Sequence, residues 1–285
     1  MTASLIGVPC YNGARDLLPS CLGAIRARTG GDYDLVVVDD SGRQGHQEET
    51  RRVAERHGAR WLCHEVNRGI TAAWNTLVRS SDASDVALLN DDIVVEVGWL
   101  DALTYFLREN PGCGSVGLGF FFIAREDLPA LLVSPTARVA PRHHATKAPL
   151  PASDYAGRGE ERPGRVMCPP GCAFGFRREK YDLVGGFDPA MRQWFNESDF
   201  GTALAARGHP SYVIPHPVLW HVWGATFERA PELLSGGPME RDRAAYRAKW
   251  GGDFDVTDPR YMAPLHKRPT EVRWIGPGGL RAEVF

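Results

Sequence analysis

The chain predicts an α/β protein built on a doubly wound, mostly parallel central sheet, and three observations carry that reading. Short apolar runs alternate with helical patterns through the first hundred residues. The runs are continuous rather than alternating, as strands covered on both faces must be. Polar residues gather directly after each run, at the strand ends where open parallel sheets bind their ligands. A length of 285 residues suits one large α/β domain or two ordinary ones.

SLIGVPCY reads as the first strand, and LLPSCLGAIRAR as a helix with Leu18, Leu22 and Ile25 at helical spacing. DLVVVDD is a second strand, GHQEETRRVAERHG a polar helix closed by Gly58, and RWLCHEV a third strand. ITAAWNTLVRSS presents Ile70, Ala73, Trp74 and Leu77 on one helix face, and VALLNDD is the fourth strand. The resulting βαβαβαβ order is that of a doubly wound sheet.

The second half is less regular: a helix in GWLDALTYFLREN, a strand in GSVGLGFFFIA, then residues 135–165, rich in Pro, Arg, His and Gly. That stretch is long for a structureless connection and reads as a solvated loop, a lid or a substrate loop. RVMCPPGCAFGFRREKYDLVGGFD predicts a strand, a turn and a short helix. NESDFGTALAARGHPSYVIPHPVLWHVW predicts a helix from near Glu197 and a strand ending at His221, and ERDRAAYRAKWGG a last helix.

A net charge of −2 gives no global basic field for nucleic acid or an anionic membrane. No apolar run approaches the ~18 residues of a membrane span, and the N-terminus lacks a secretory pattern, so a cytoplasmic protein is expected. The six cysteines are scattered, and most of them read as reduced core thiols. Cys168 and Cys172 in CPPGC lack the matching second pair that a zinc site would need.

The strand ends carry the chemistry. They place Pro9, Cys10, Tyr11 and Asn12 after the first strand, Asp39 to Ser41 after the second, Asn67, Arg68 and Gly69 after the third, and Asn90, Asp91 and Asp92 after the fourth. Neither a G-x-G-x-x-G nor a Walker-type loop follows the first strand, so a bound diphosphate would need another positive partner. A divalent cation on a strand-end carboxylate supplies one, and Mg²⁺ or Mn²⁺ suits oxygen ligands. Asp92 with Asn90 fits that task; a solvated turn is the competing reading.

The order VPCYNG, VVVDDSG, NRGITAAWN, LLNDDIVV, GGFDPAMRQWFNESDFGTALAARGH and WHVWGAT resembles the family 2 glycosyltransferases, inverting nucleotide-sugar enzymes of GT-A fold, over about Ser4 to Trp250. The resemblance implies that Pro9, Tyr11, Asn12 and Asp39 surround the nucleobase, Asp39 accepting from a base N–H, which uracil, thymine and guanine all offer. It places Asn67, Arg68, Gly69 and Asn75 around the nucleotide. NDD stands where the family carries D-x-D, so Asp92 would bind the metal and Asn90 sit by the ribose, with Asp91 beside the nucleotide or merely turning the chain. Asn90 replaces the family's first Asp and removes one negative charge.

Glu197 falls where the family has its catalytic Asp, with Asp199 the second candidate base. A helix N-terminal acid, capped by Asn196 or Ser198, is the other reading of Glu197. His221 would lie near the diphosphate or on the metal, or pack between tryptophans. Gly171, Cys172 and Ala173 match a loop approaching the donor sugar, and Trp194 would stack on a sugar or pack in the core.

These implications divide the chain into a nucleotide-sugar-binding part at 1–100, an acceptor and catalytic part at 101–250 and a tail at 251–285. The expected activity is transfer of a sugar from a nucleoside diphosphate sugar, UDP by default, to a soluble sugar, metabolite or natural-product acceptor. Mn²⁺ or Mg²⁺ is the expected cofactor, and a homodimer is left open. The alternatives are a degenerate sugar-nucleotide or glycan-binding module and a sugar-1-phosphate nucleotidyltransferase, which should carry a Gly-rich basic loop after the first strand.

Overall fold

The computed structural model describes residues 4–123, 125–133, 164–166, 168–222, 224–225, 230 and 236–251, with short strands at 272–274 and 280–282. The expected loop at 135–165, but for its last two residues, and all of the tail except residue 251 and those two strands lie outside the described residues.

β1 (Ser4–Cys10), β2 (Tyr33–Asp39), β3 (Arg60–Cys63) and β4 (Asp85–Leu89) pair in parallel in the order β3-β2-β1-β4. They alternate with α1 (Leu17–Arg28), α2 (Gln44–Arg56) and α3 (Ile70–Arg79). Asp16 starts α1 by accepting a hydrogen bond from the Leu17 N–H at 2.9 Å. Successive strand residues feed opposite faces: Ile6, Val8, Leu35 and Val37 join the core under α1 and α2, and Leu5, Val36 and Val38 the core under α3. The runs read as continuous because both faces are covered.

The second half adds β5 (Ile93–Val94), α4 (Trp99–Glu109), β6 (Ser115–Ile123), α5 (Leu128–Val133), β7 (Gly164–Val166) and β8 (Ala173–Arg177). α6 (Arg178–Val184), α7 (Asn196–Ala205), β9 (Ser211–Val222) and α8 (Gly236–Trp250) follow. β8 lies antiparallel between β4 and β6, and β9 runs parallel to β6 while also pairing with β5 and β7. β10 (Val272–Trp274) and β11 (Leu280–Ala282) form a separate hairpin-like pair. The sequence reading of one strand, a turn and a helix at 165–188 is corrected: two strands flank the CPPG turn. AFGFR extends the sheet because Phe174 and Phe176 enter the core together, and at Gly175 a Cβ would meet the Val86 carbonyl oxygen at 2.6 Å.

Trp74, Phe174, Phe176, Phe187 and Phe200 form one aromatic cluster that pins α7 to the sheet, with the Phe187 and Phe200 rings 4.5 Å apart. Asn75, expected to face the nucleotide cleft, is a clamp within this layer instead. Its Nδ2 donates to the Phe187 carbonyl at 2.8 Å, and its Oδ1 accepts from the Tyr181 hydroxyl at 2.7 Å and the Phe187 N–H at 3.1 Å. Asn75→Ala should therefore destabilise the protein by about 2–3 kcal/mol, because buried donors lose their acceptor. Urea unfolding read by its midpoint checks this, and nucleotide binding by the folded variant should be unchanged.

Candidate active site

The chain passes from β1 outward to β2 and β3, then returns to β4 on the other side of β1, so the strand order reverses between β1 and β4. A cleft opens there, holding about 860 Å³ of empty space with its solvent mouth included. Pro9, Cys10 and Tyr11 line it from β1, and Asn90, Asp91 and Asp92 from β4. Asp40, Asn67, Ile70 and Ala73 form a third side, and Gln193, His221, Gly224 and Ala225 the opposite wall.

Asp92 and His221 are brought together by strand pairing. Ile93 is the register partner of His221, and the Val222 N–H donates to the Asp92 carbonyl at 3.0 Å. Asp92 Oδ1 then lies 3.3 Å from His221 Nε2. Burial pushes the His221 imidazolium down, but the Asp92 carboxylate and Cys172 beside it outweigh that and hold its pKa well above the ordinary value. Asn90 is fixed by its N–H on the Cys172 carbonyl at 2.8 Å, while its buried Oδ1 has no hydrogen-bond partner among the described residues. Asp91 packs under the loop after β1, against Gly13 and the Cys10 thiol.

Among the described residues no three His, Cys, Asp or Glu side chains are grouped to hold a metal. Asp92 and His221 could supply two protein ligands, one oxygen and one nitrogen, and the Asn90 side-chain oxygen of the same cleft lining a third. A Mg²⁺- or Mn²⁺-type ion fits such a set only with phosphate oxygens or water completing the shell.

Asp39 is not in the cleft lining. It is fully buried, its Oδ1 accepting from the Ser41 N–H at 2.8 Å and its Oδ2 from His46 Nδ1 at 2.7 Å. Burial pushes its carboxyl up, yet the hydrogen bonds from His46, Ser41 and Thr50 hold it below the usual value. The expected contact to a base N–H is thus already occupied from within. The next residue, Asp40, faces the cleft, and its carboxylate gathers the loop after β3: it accepts from Asn67 Nδ2 at 2.9 Å, Arg68 N at 2.8 Å and Gly69 N at 2.7 Å. His64 Nδ1 meets the same carboxylate at 2.7 Å and is backed by Thr76 Oγ1. Asn67 reaches the cleft, the Arg68 side chain is exposed, and Gly69 adopts φ +89° under Arg192, where a Cβ would collide. Arg43 lies over the Tyr11 ring at 5.6 Å, and Asn12 is half-buried beside it.

Glu197 sits in the first turn of α7, on the helical face of Phe200 and Leu204, which anchor the helix in the core. It stands beside the cleft, against the turn after β7. A Cβ at Gly171 would lie 3.1 Å from Glu197 Cδ, and Cys172 on the other side of that turn touches His221. The Glu197 carboxylate takes no hydrogen bond from another described residue, and burial pushes its pKa up. Asn196 Oδ1 caps the Glu197 N–H at 2.9 Å, so the helix start is satisfied without the glutamate side chain. Asp199, the second candidate base, is committed elsewhere: Lys249 Nζ lies 2.8 Å from it and Trp250 Nε1 donates to it at 2.8 Å. Ala173 is buried in β8 opposite Leu89, below the cleft, and Trp194 lies half-buried with its N–H on Asp242.

Asp40, Arg192, Gln193 and Asp242 were not singled out as site residues by the sequence reading. The doublet Asp39–Asp40 was visible, but which member faces the cleft depends on the strand's exit from the sheet. Gln193 and Asp242 had no local signal, since they meet across 49 residues.

Comparison with known proteins places the fold and its switch-point cleft. The family model for Glycosyl transferase family 2 matches residues 5–184, and the chain belongs to that family. The uncharacterized protein y4gI of Sinorhizobium fredii is 27% identical over 247 residues, covering 82% of this chain but 26% of that protein, so the chain spans about a quarter of its curated relative's length. Among solved structures, the mannosyltransferase PcManGT of Pyrobaculum calidifontis with GDP-Man and Mn²⁺ aligns at TM-score 0.61 and 18% identity, covering 94% of this chain and 70% of that one. GalNAc-T7 with UDP, GalNAc and Mn²⁺ aligns at TM-score 0.62 and 13% identity, over 93% and 55% of the two chains. TarS 1–349 of S. aureus aligns at 0.54 and 12% identity, over 91% and 74%. At these identities the structures share the GT-A fold with this chain. No described helix is long and apolar enough to cross a membrane.

Proposed function

We propose that the chain transfers a sugar from a nucleoside diphosphate sugar to an acceptor hydroxyl with inversion, assisted by a divalent cation. The observation that carries this is the Asp92–His221 pair in the switch-point cleft, with the half-buried Glu197 carboxylate just across the 171–172 turn. Pro9, Tyr11, Asn12 and Asn67 border the nucleoside, and Asp40 holds the loop that carries Asn67. The part at 1–100 thus handles the nucleotide and the part at 101–250 the acceptor.

Asp92 and His221, the latter as the neutral imidazole once the cation displaces its proton, would hold the ion, whose positive charge would stabilise the departing diphosphate. Glu197 takes the proton of the acceptor hydroxyl as its oxygen bonds to the anomeric carbon. The anomeric C–O bond to the diphosphate breaks on the opposite face, and the nucleoside diphosphate leaves with the electron pair. Gly171 has no Cβ, so the donor sugar can approach the backbone beside Glu197.

Thermal-shift measurements with UDP, GDP and dTDP, each with and without Mn²⁺, test the reading and choose the base. At 100 times Kd the correct nucleotide adds about 2.7 kcal/mol, a rise of roughly 5 °C or more for a domain of this size. No shift with any nucleotide and Mn²⁺ would remove the proposal.

A further inference from the structure

We propose that Asp242, on α8, is a positioning residue for Glu197, fixing the turn from which the Glu197 helix starts; this rests on Glu197 being the base.

Asp242 is fully buried, and its Oδ2 accepts from the backbone N–H groups of Gln193 at 2.6 Å and Trp194 at 2.8 Å. Its Oδ1 is held by Arg241 Nε at 2.8 Å. A carboxylate that gathers two adjacent backbone donors fixes the direction of the chain there more tightly than side-chain packing does. The next residue, Phe195, has φ +61°, a left-handed conformation that costs a bulky residue energy and persists only where its surroundings enforce it. α8 supplies the enforcement: the Phe195 ring lies 5.6 Å from the Tyr246 ring, with the Arg243 guanidinium 5.8 Å from it.

The same segment is tied to the cleft from its other end. Arg192 Nη2 donates to the Asn67 carbonyl at 2.5 Å and to Asn67 Oδ1 at 2.7 Å. The Thr71 hydroxyl donates to the Met191 carbonyl and accepts from Asn196 Nδ2 at 3.2 Å. Residues 191–196 are thus held between the nucleotide-side loop and α8, with Gln193 in the cleft wall and Glu197 immediately after. The Glu197 carboxylate takes no hydrogen bond from another described residue, so its placement rests on this backbone and on its packing against the 168–171 turn. Displacing a reacting group by about 1 Å costs on the order of 10²-fold in rate.

The test compares variants using the nucleotide that stabilises the wild type most, and hydrolysis or transfer of its sugar conjugate. Asp242→Asn should lower kcat about 10–100-fold, with donor KM and the nucleotide-induced thermal shift within about two-fold of wild type. Asp242→Glu, which keeps the charged acceptor on a longer arm, should recover part of kcat and provides a second variant if Asp242→Asn folds poorly. Lys249→Met loosens α8 from Asp188 and Asp199 without touching the 193–195 turn, so it should lower stability and leave kcat within about two-fold. If Asp242→Asn and Asp242→Glu lower kcat no more than Lys249→Met does at equal loss of stability, the positioning role is overturned. Glu197→Gln is the control for the reading beneath: an inactive Glu197→Gln beside fully active Asp242 variants sinks only the positioning role, whereas an active Glu197→Gln sinks the base assignment itself.

Discussion

Glu197→Gln should all but abolish the proposed sugar transfer while leaving a folded protein that still binds nucleotide. The expected loss is about 10²–10⁴-fold in kcat, the contribution of a positioned general base. Two features of the structure separate this outcome from a structural effect. Asn196 already caps α7, so the amide removes no helix-start hydrogen bond. Burial also raises the Glu197 carboxyl above its usual range, so ionisation costs the folded state. A raised folded pKa favours folding at pH values below the unfolded pKa, and that contribution is lost as pH rises through the folded pKa. Above its folded pKa the wild type bears a charge in this desolvated place that Gln lacks, and there the melting temperature of the variant should equal or exceed that of wild type. The acid limb of the wild-type kcat/KM profile should correspondingly lie at higher pH than an ordinary glutamate gives. Retained turnover, or a melting temperature that falls in step with activity, defeats the base assignment.

The parallel half of the sheet was legible because β1, β2 and β4 are short apolar runs buried along most of their length and helices separate the four strands. β8 was harder. Its alternating small and aromatic residues acquire meaning only once β4 and β6 lie on either side of it, a relation the local pattern does not encode. The convergence of the strand ends was legible, since parallel pairing carries all four carboxyl ends to one edge and the strand order reverses there. What the sequence could not resolve was which polar residues face the cleft and which are used internally. Asp39 and Asp40 are chemically identical neighbours, yet His46 covers one and the cleft opens on the other. Asn75 lies on the helix after the nucleotide-side loop, but its three hydrogen bonds run to the Tyr181–Phe187 turn, more than a hundred residues away. Long-range partners decide such cases, and spacing cannot report them.

Asp92→Ala and His221→Ala should each lower kcat/KM by about 10²–10³-fold, the scale lost when a group stabilising developing charge is removed. Each should also abolish the Mn²⁺-dependent part of the nucleotide-induced thermal shift. The informative measurement is the double variant. If the two side chains hold one cation, removing either already disables the site, and the second removal adds little; independent roles would multiply the losses. Their 3.3 Å separation and shared strand pairing favour strong coupling. Asn90→Asp supplies the complementary case: a second carboxylate in the cleft lining should strengthen Mn²⁺ binding, because the Asn90 oxygen is buried and has no hydrogen bond to a described residue to lose. Should Asp92→Ala keep both its Mn²⁺ response and its turnover, the cation is held elsewhere and the chemistry assigned to this pair is wrong. A double variant that loses the full product of the single losses would instead leave His221 acting on the diphosphate by itself, as a charged donor with no metal between.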